Sequence, residues 1–176
     1  SGKNLIDEGT NIFIDLLCAA INRINGIEYT LEDTQKLINE LKLVLDNEDI
    51  GRAFYFILLN GYKGIKLVDF EDSVGEKNSF HVVTELTYKN GPDEFRPDIT
   101  VLVNGLPLAF IEVKKPNNKN GIKAEYDRMN TRVQNKKFRR FINLTQIMVF
   151  SNNSPYDDSE VVPLEGSFYA ASGYKK

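Results

Sequence analysis

The pair Asn104-Gly105, set between two runs rich in apolar and β-branched residues, limits the fold of this chain more than any other feature. Both residues accept the positive φ that a tight hairpin turn demands, so Pro97 to Val103 and Leu106 to Lys114 read as antiparallel strands joined there. Along the second run Ala109, Ile111 and Val113 take one face, while Phe110, Glu112 and Lys114 take the other. Charge thus enters a strand that is otherwise core-like, and burying either charged group is costly without a partner or a metal ion. The preceding run supplies Asp98. A strict two-residue loop pairs Asp98 with Ile111 and leaves Asp98 and Glu112 on opposite faces of the sheet. An odd-length loop with Gly105 left-handed, or a single bulge, moves the pairing by one residue and unites them; that is the expected arrangement.

The remaining patterns place this hairpin in an α/β domain. Ile12, Leu16, Ala19, Ala20 and Ile24 recur at helical spacing up to Gly26. Thr30 with Asp33 has the spacing of a capping arrangement for a second helix that turns Leu37, Ile38, Leu41, Val44 and Leu45 inward. A third helix is expected from Glu48 to Asn60-Gly61. Strands are expected at Ile65 to Phe70 and Phe80 to Tyr88, the latter closed by the turn residues Lys89-Asn90-Gly91-Pro92. A polar loop from Pro116 to Gly121 leads into a basic helix from Ile122 to Phe141. A short strand at Gln146 to Phe150, closed by Ser151 to Pro155, and a candidate strand at Ser167 to Ala171 complete the order. Helices, strands, helix and strand in that order predict a mixed central β-sheet flanked by helices. The expected division is an N-terminal helical segment over 1–60, a core over 61–153 and a C-terminal extension over 154–176.

Length and composition exclude several classes. With 176 residues, 41% hydrophobic and 27% charged, the chain suits one soluble domain. No apolar run approaches the ~20 residues of a membrane-spanning helix. Cys18 is the single cysteine, so no internal disulfide can form and a reducing, cytoplasmic setting is expected. The start at Ser1-Gly2 is expected of a domain cut from a longer protein. Net charge is −3, yet Glu112 to Phe141 holds ten Lys or Arg against three acids. Taken alone, that local excess reads first as a solvated helix face; the alternative is one basic face presented to a polyanion, with nucleic acid the obvious candidate.

Two carboxylates on one face of adjacent strands form a hard, oxygen-only site suited to Mg²⁺, with Mn²⁺ as substitute. The chemistry that fits is phosphodiester hydrolysis. Lys114 beside them would hold or activate a water, or stabilise charge on the pentavalent intermediate.

The segments Asn78 to Glu85, Arg96-Pro97-Asp98-Ile99, Val103 to Leu108, Glu112-Val113-Lys114-Lys115-Pro116 and Gln146 to Asn152 resemble the N-terminal nuclease domain of the R subunit of type I restriction enzymes, within the PD-(D/E)xK nuclease superfamily. The resemblance covers about Phe54 to Asn153 and implies a restriction-endonuclease-like core. It further implies that Asp98 and Glu112 ligate metal with the Val113 carbonyl, and that Lys114 is the catalytic lysine. Partners implied are duplex DNA and the methylation and specificity subunits of an ATP-driven complex, with no membrane. ATP would serve only a motor domain, since no Gly-x-x-x-x-Gly-Lys-Ser/Thr loop occurs in this chain. The family's Gln-x-x-x-Tyr helix motif is met in spacing by Gln134 and Phe138, without the Tyr. Counting back from Phe141 places that slot near Met129 and Val133 instead, with Arg128, Asn130 and Arg132 as further occupants. Glu48 is the candidate acid from an early helix. Lys115, Lys119, Lys123, Arg128 and Arg132 are the expected phosphate contacts. Two other readings compete: a catalytically silent module that binds DNA or docks subunits, and a small nuclease acting alone. His81, Cys18, Tyr126, Met129 and Phe138 are expected to be structural.

Overall fold

The computed structural model describes residues 5–72, 74–115, 121–151 and 167–171. Three helices lead: α1 (Ile14–Asn25), α2 (Leu31–Leu45) and α3 (Arg52–Asn60). Gly26 ends α1 in the left-handed conformation, and Thr30 with Asp33 forms the reciprocal capping box that starts α2. The buried stripe of α1 is Ile14, Leu17, Cys18, Ala20 and Ile21; Leu16 and Ile24 are half-buried and Ala19 is exposed, so the inward face is rotated from the one expected. Helix α3 begins four residues later than expected because Ile50 and Gly51 are both left-handed. The Asp49 carboxylate accepts from the Gly51 and Ala53 amides, and a Cβ on Gly51 would stand 2.6 Å from the Asn143 carbonyl oxygen.

Then come β1 (Phe80–Thr84), the small pair β2 (Tyr88–Asn90) and β3 (Asp93–Phe95), and the hairpin β4 (Ile99–Val103) and β5 (Leu106–Val113). Helix α4 (Gly121–Gln134), a short 3₁₀ turn at Lys136–Phe138 and helix α5 (Arg139–Leu144) connect to β6 (Ile147–Ser151), with β7 (Ser167–Ala171) last. Among the described residues the main sheet has five strands in the order β1-β4-β5-β6-β7. Strands β5 and β6 run parallel and their other neighbours antiparallel, so the sheet is mixed and the architecture α/β, as expected.

Three expected elements differ. Ile65 to Phe70 is not a strand: Lys66 exchanges both backbone hydrogen bonds with the Asn25 amide, the Asp69 amide donates to Asn78, and the Leu67 carbonyl accepts from Asn104. Side chains from distant segments thus take the groups a partner strand would need. The run from Phe80 to Tyr88 breaks at Glu85, whose φ is 54°. The basic helix breaks at Asn135, where the side chain accepts from the Lys137 amide and starts a new turn. The turn expected at Ser151 to Pro155 lies, after Ser151, outside the described residues.

Two apolar clusters bracket the sheet. One joins α1, α2 and α3 to Leu67, Val68, Leu106 and Leu144. The other gathers Tyr88, Phe95, Phe110, Met129, Phe138, Phe141 and Phe150 beneath α4 and α5. Cys18, Met129 and Phe138 are buried, as expected of structural residues. Among the described residues, no helix is long and apolar enough to cross a membrane.

Candidate active site

The site begins at the Asn104-Gly105 turn. Both residues have positive φ, 54° and 80°, and Val103 pairs with Leu106. The loop therefore has two residues, in the conformation that such a hairpin demands. Asn104 is fully buried, accepting from the Ser79 amide (2.7 Å) and donating to the Leu67 carbonyl (2.9 Å). Gly105 packs so closely on α1 that a Cβ would lie 2.6 Å from the Phe13 carbonyl oxygen. This end of the hairpin is locked.

Register shifts between Val101 and Leu102: Val101 pairs with Ala109 but Leu102 with Pro107, leaving Leu108 as the extra residue. The bulge makes Ile99 the partner of Ile111, so the next pair outward is Asp98 with Glu112 on one face. Directly opposed residues of antiparallel strands hold their Cβ atoms about 5 Å apart. Asp98 is exposed, and its Oδ2 accepts from the Val113 amide at 2.7 Å. Glu112 is only 6% exposed.

Glu112 is poorly provided for. Its Oε2 lies 3.6 Å from Lys114 Nζ, and its buried Oε1 has no hydrogen-bond partner. Burial pushes its carboxyl up to about 7, the neighbouring Asp98 and Glu125 carboxylates add to the rise, and Lys114 opposes it. Among the described residues the other such oxygen is Asp15 Oδ1, in the first turn of α1, where the helix dipole favours negative charge. The orphaned Glu112 oxygen, by contrast, belongs to a side chain that faces a second carboxylate.

Lys114, half-buried, lies 3.3 Å from Glu125 Oε1 as well. Glu125 is 4% exposed and also pairs with Arg128, one turn along α4. One further turn on, Arg132 stacks its guanidinium on the Phe95 ring, 4.0 Å from the centroid. Burial lowers the Arg132 pKa, with Glu125 and Glu112 opposing.

The structure thus brings together Asp98, Glu112 and Lys114, with the Val113 backbone between the two acids. Gln134 is not among them. It lies more than two helical turns beyond Glu125 on α4, and the break at Asn135 separates it from Phe138. Glu48 pairs with Arg139 (2.8 Å) and lines a surface depression of about 380 Å³ shared with Gln134, apart from the acid pair. Of the slot near Met129 and Val133, Met129 is buried in the aromatic cluster and Asn130 is exposed. Lys115 is exposed beside the site, Lys123 pairs with Asp127 (2.9 Å), and Lys119 lies outside the described residues. Elsewhere in the basic run, Lys136 and Arg139 pair with Glu48, Lys137 with Asp93 and Arg140 with Asp46.

Glu125 was not singled out by its sequence surroundings, where it counts as one acid in a basic helix. Its signal is positional: Glu125, Met129 and Val133 recur every four residues, so a carboxylate occupies a place on the apolar stripe.

Fold and site define an α/β protein with a restriction-endonuclease-like core, in which two carboxylates and a lysine meet at one end of a mixed sheet. Residues 2–156 match the family described as type I restriction enzyme R protein N terminus, and the chain belongs to that family. Two relatives come from Methanocaldococcus jannaschii. The putative type I restriction enzyme MjaIXP endonuclease subunit is 32% identical over 127 residues, 61% of this chain and 12% of that protein. The putative type I restriction enzyme MjaVIIIP endonuclease subunit is 36% identical over 93 residues, 50% of this chain and 9% of that protein. The chain therefore spans a small part of the length of these relatives.

Proposed function

We propose that this chain is the metal-dependent, DNA-cleaving domain of a type I restriction enzyme R subunit, with a PD-(D/E)xK site that hydrolyses phosphodiester bonds of duplex DNA. The observation that carries the reading is the orphaned, buried Glu112 Oε1 on the residue set against Asp98. Among the described residues no three His, Cys, Asp or Glu side chains are grouped to hold a metal. Two carboxylates nevertheless suffice for Mg²⁺, which keeps several waters and binds substrate phosphate alongside one or two protein carboxylates. Asp98, Glu112 and the Val113 carbonyl would hold the ion. Once bound, Mg²⁺ would polarise a phosphoryl oxygen and acidify a water.

The chain's own residues supply the remainder. Val113 fixes Asp98 through its amide, which leaves the other Asp98 oxygen available. Lys114 places a positive charge beside Glu112, where it can orient the attacking water or offset charge on the transferring phosphoryl group. Arg132, held flat by Phe95, and Lys115 would meet backbone phosphates next to the acids. Partners under this reading are duplex DNA and the methylation and specificity subunits of an ATP-driven complex.

The test is Mn²⁺ binding by calorimetry with a short duplex, paired with cleavage assays. Wild type binds Mn²⁺ and Asp98→Ala does not, while Lys114→Ala keeps the fold by circular dichroism and loses cleavage by about a thousandfold. Wild-type cleavage by either variant overturns the reading, and absence of Mn²⁺ binding by wild type favours a silent module.

A further inference from the structure

Glu125 carries a role that neither the motif nor the charge pattern of the sequence assigns. Its position on the inward stripe of α4 buries a carboxylate, which is costly unless the charge is paired on both sides. The pairing is asymmetric in kind. Arg128, at i+3 on the same helix, is an exposed side chain that folds back onto Glu125. Lys114 arrives from the end of β5, in another layer of the fold, and its ammonium sits between Glu125 at 3.3 Å and Glu112 at 3.6 Å.

A lysine at the end of a strand has four rotatable bonds and a strongly hydrated head, and left alone would sample many positions. The closer of its two carboxylate contacts is the one to Glu125. Glu112 also touches the ammonium, at 3.6 Å, but its carboxylate interacts with Asp98 as well, whereas Glu125 meets Lys114 from a separate element. We propose that Glu125 is a positioning residue that holds the Lys114 ammonium beside the Asp98–Glu112 pair, with Arg128 as the anchor that keeps the Glu125 carboxylate turned toward it. Arg128, though exposed, is on this view engaged by Glu125 rather than by phosphate. The catalytic consequence rests on the nuclease reading above; the contact itself does not.

Lysine-selective ¹⁵N NMR of the chain tests the contact directly, the Lys114 ammonium being assigned by its loss in Lys114→Arg. A held ammonium exchanges its protons slowly and gives a resolved signal, which Glu125→Ala removes and Glu125→Gln, retaining an oxygen acceptor, preserves. In parallel, the single-turnover cleavage rate at saturating duplex falls by about tenfold to a hundredfold in Glu125→Ala and recovers in Glu125→Gln, with duplex affinity unchanged in both. Should Glu125→Ala fail to fold, Glu125→Leu refills the buried space and carries both measurements. A Lys114 ammonium that exchanges like surface lysines in wild type, or persists unchanged in Glu125→Ala or Glu125→Leu, overturns the proposal. If wild type cuts nothing with either metal, the nuclease reading fails while the Lys114 signal still decides whether Glu125 holds it.

Discussion

Asp7 and Glu112 are each 6% exposed, and their surroundings treat them in opposite ways. Asp7 accepts from Lys42 Nζ (2.6 Å), Gln35 Nε2 (3.1 Å), Thr10 Oγ1 (2.8 Å) and the Gly9 amide (3.2 Å). Burial raises its carboxyl, but the bonds from Lys42, Thr10 and Gln35 together outweigh that and hold it below the usual range. Glu112 has an orphaned oxygen and a second carboxylate opposite, and its carboxyl is driven up. Burial alone therefore says little about a carboxylate's purpose. A satisfied buried acid ties elements together, here the N-terminal loop to α2. An unsatisfied one facing another acid lacks that structural purpose and is where the proposed metal ion would sit.

The contrast can be broken first at Asp7. Asp7→Ala strips Lys42 of its partner and is expected to cost about 4 kcal/mol in urea unfolding while leaving Mn²⁺ binding intact. A stability change near zero, or loss of metal binding, would erase the distinction between the two acids.

Glu112→Gln gives the opposite result. Because the folded carboxyl titrates at about 7 against 4.5 ordinarily, the folded protein holds this proton more tightly than the unfolded chain. Its contribution therefore favours folding less and less as pH rises from about 4.5 through about 7. Replacing it with the neutral amide gains at most about 3 kcal/mol at about pH 8 and close to nothing at about pH 4.5, as read from urea melts at the two pH values. Equal effects at both would show that Glu112 is not held protonated by its surroundings. Mn²⁺ affinity should rise over the same interval, since the ligand form is the carboxylate.

The smallest effect sharpens the same comparison among cations. Lys42 is consumed by buried Asp7, and Lys123, Arg128, Lys136, Lys137, Arg139 and Arg140 are paired with acidic side chains of the chain itself, most of them at the surface. If Lys115, Lys119 and Arg132 make the phosphate contacts, the slope of log affinity for duplex against log salt is about −3, where all ten cations of the basic run would give about −9. A slope near the steeper value would return the paired cations to the DNA interface.

Much of the site was legible in advance because strand periodicity is short and local. Glu112 and Lys114 share a face by simple alternation, and Asn104-Gly105 announces its own turn. That either an odd-length loop or a bulge was needed followed from counting residues; that the fold uses a bulge, with Leu108 as the extra residue, did not. Glu125 was out of reach for a different reason. It meets Lys114 from a separate element further along the chain and from another layer of the fold, and no local pattern encodes that meeting. Gln134 matched a motif in spacing, but Asn135 ends the helix that the motif presumes.

By itself, then, the sequence determined the hairpin, the pairing of an acid with a lysine on one strand face, the capped helix α2 and the α/β order of elements, because each depends on neighbours a few residues apart. The tertiary structure alone decided the rest. Packing of α4 on the sheet buried Glu125 against Lys114, and the acidic residues Asp46, Glu48 and Asp93 arrived to neutralise much of the basic run. Charge adds up along a chain regardless of order. What a charge can do depends on which groups folding brings within a few ångströms of it.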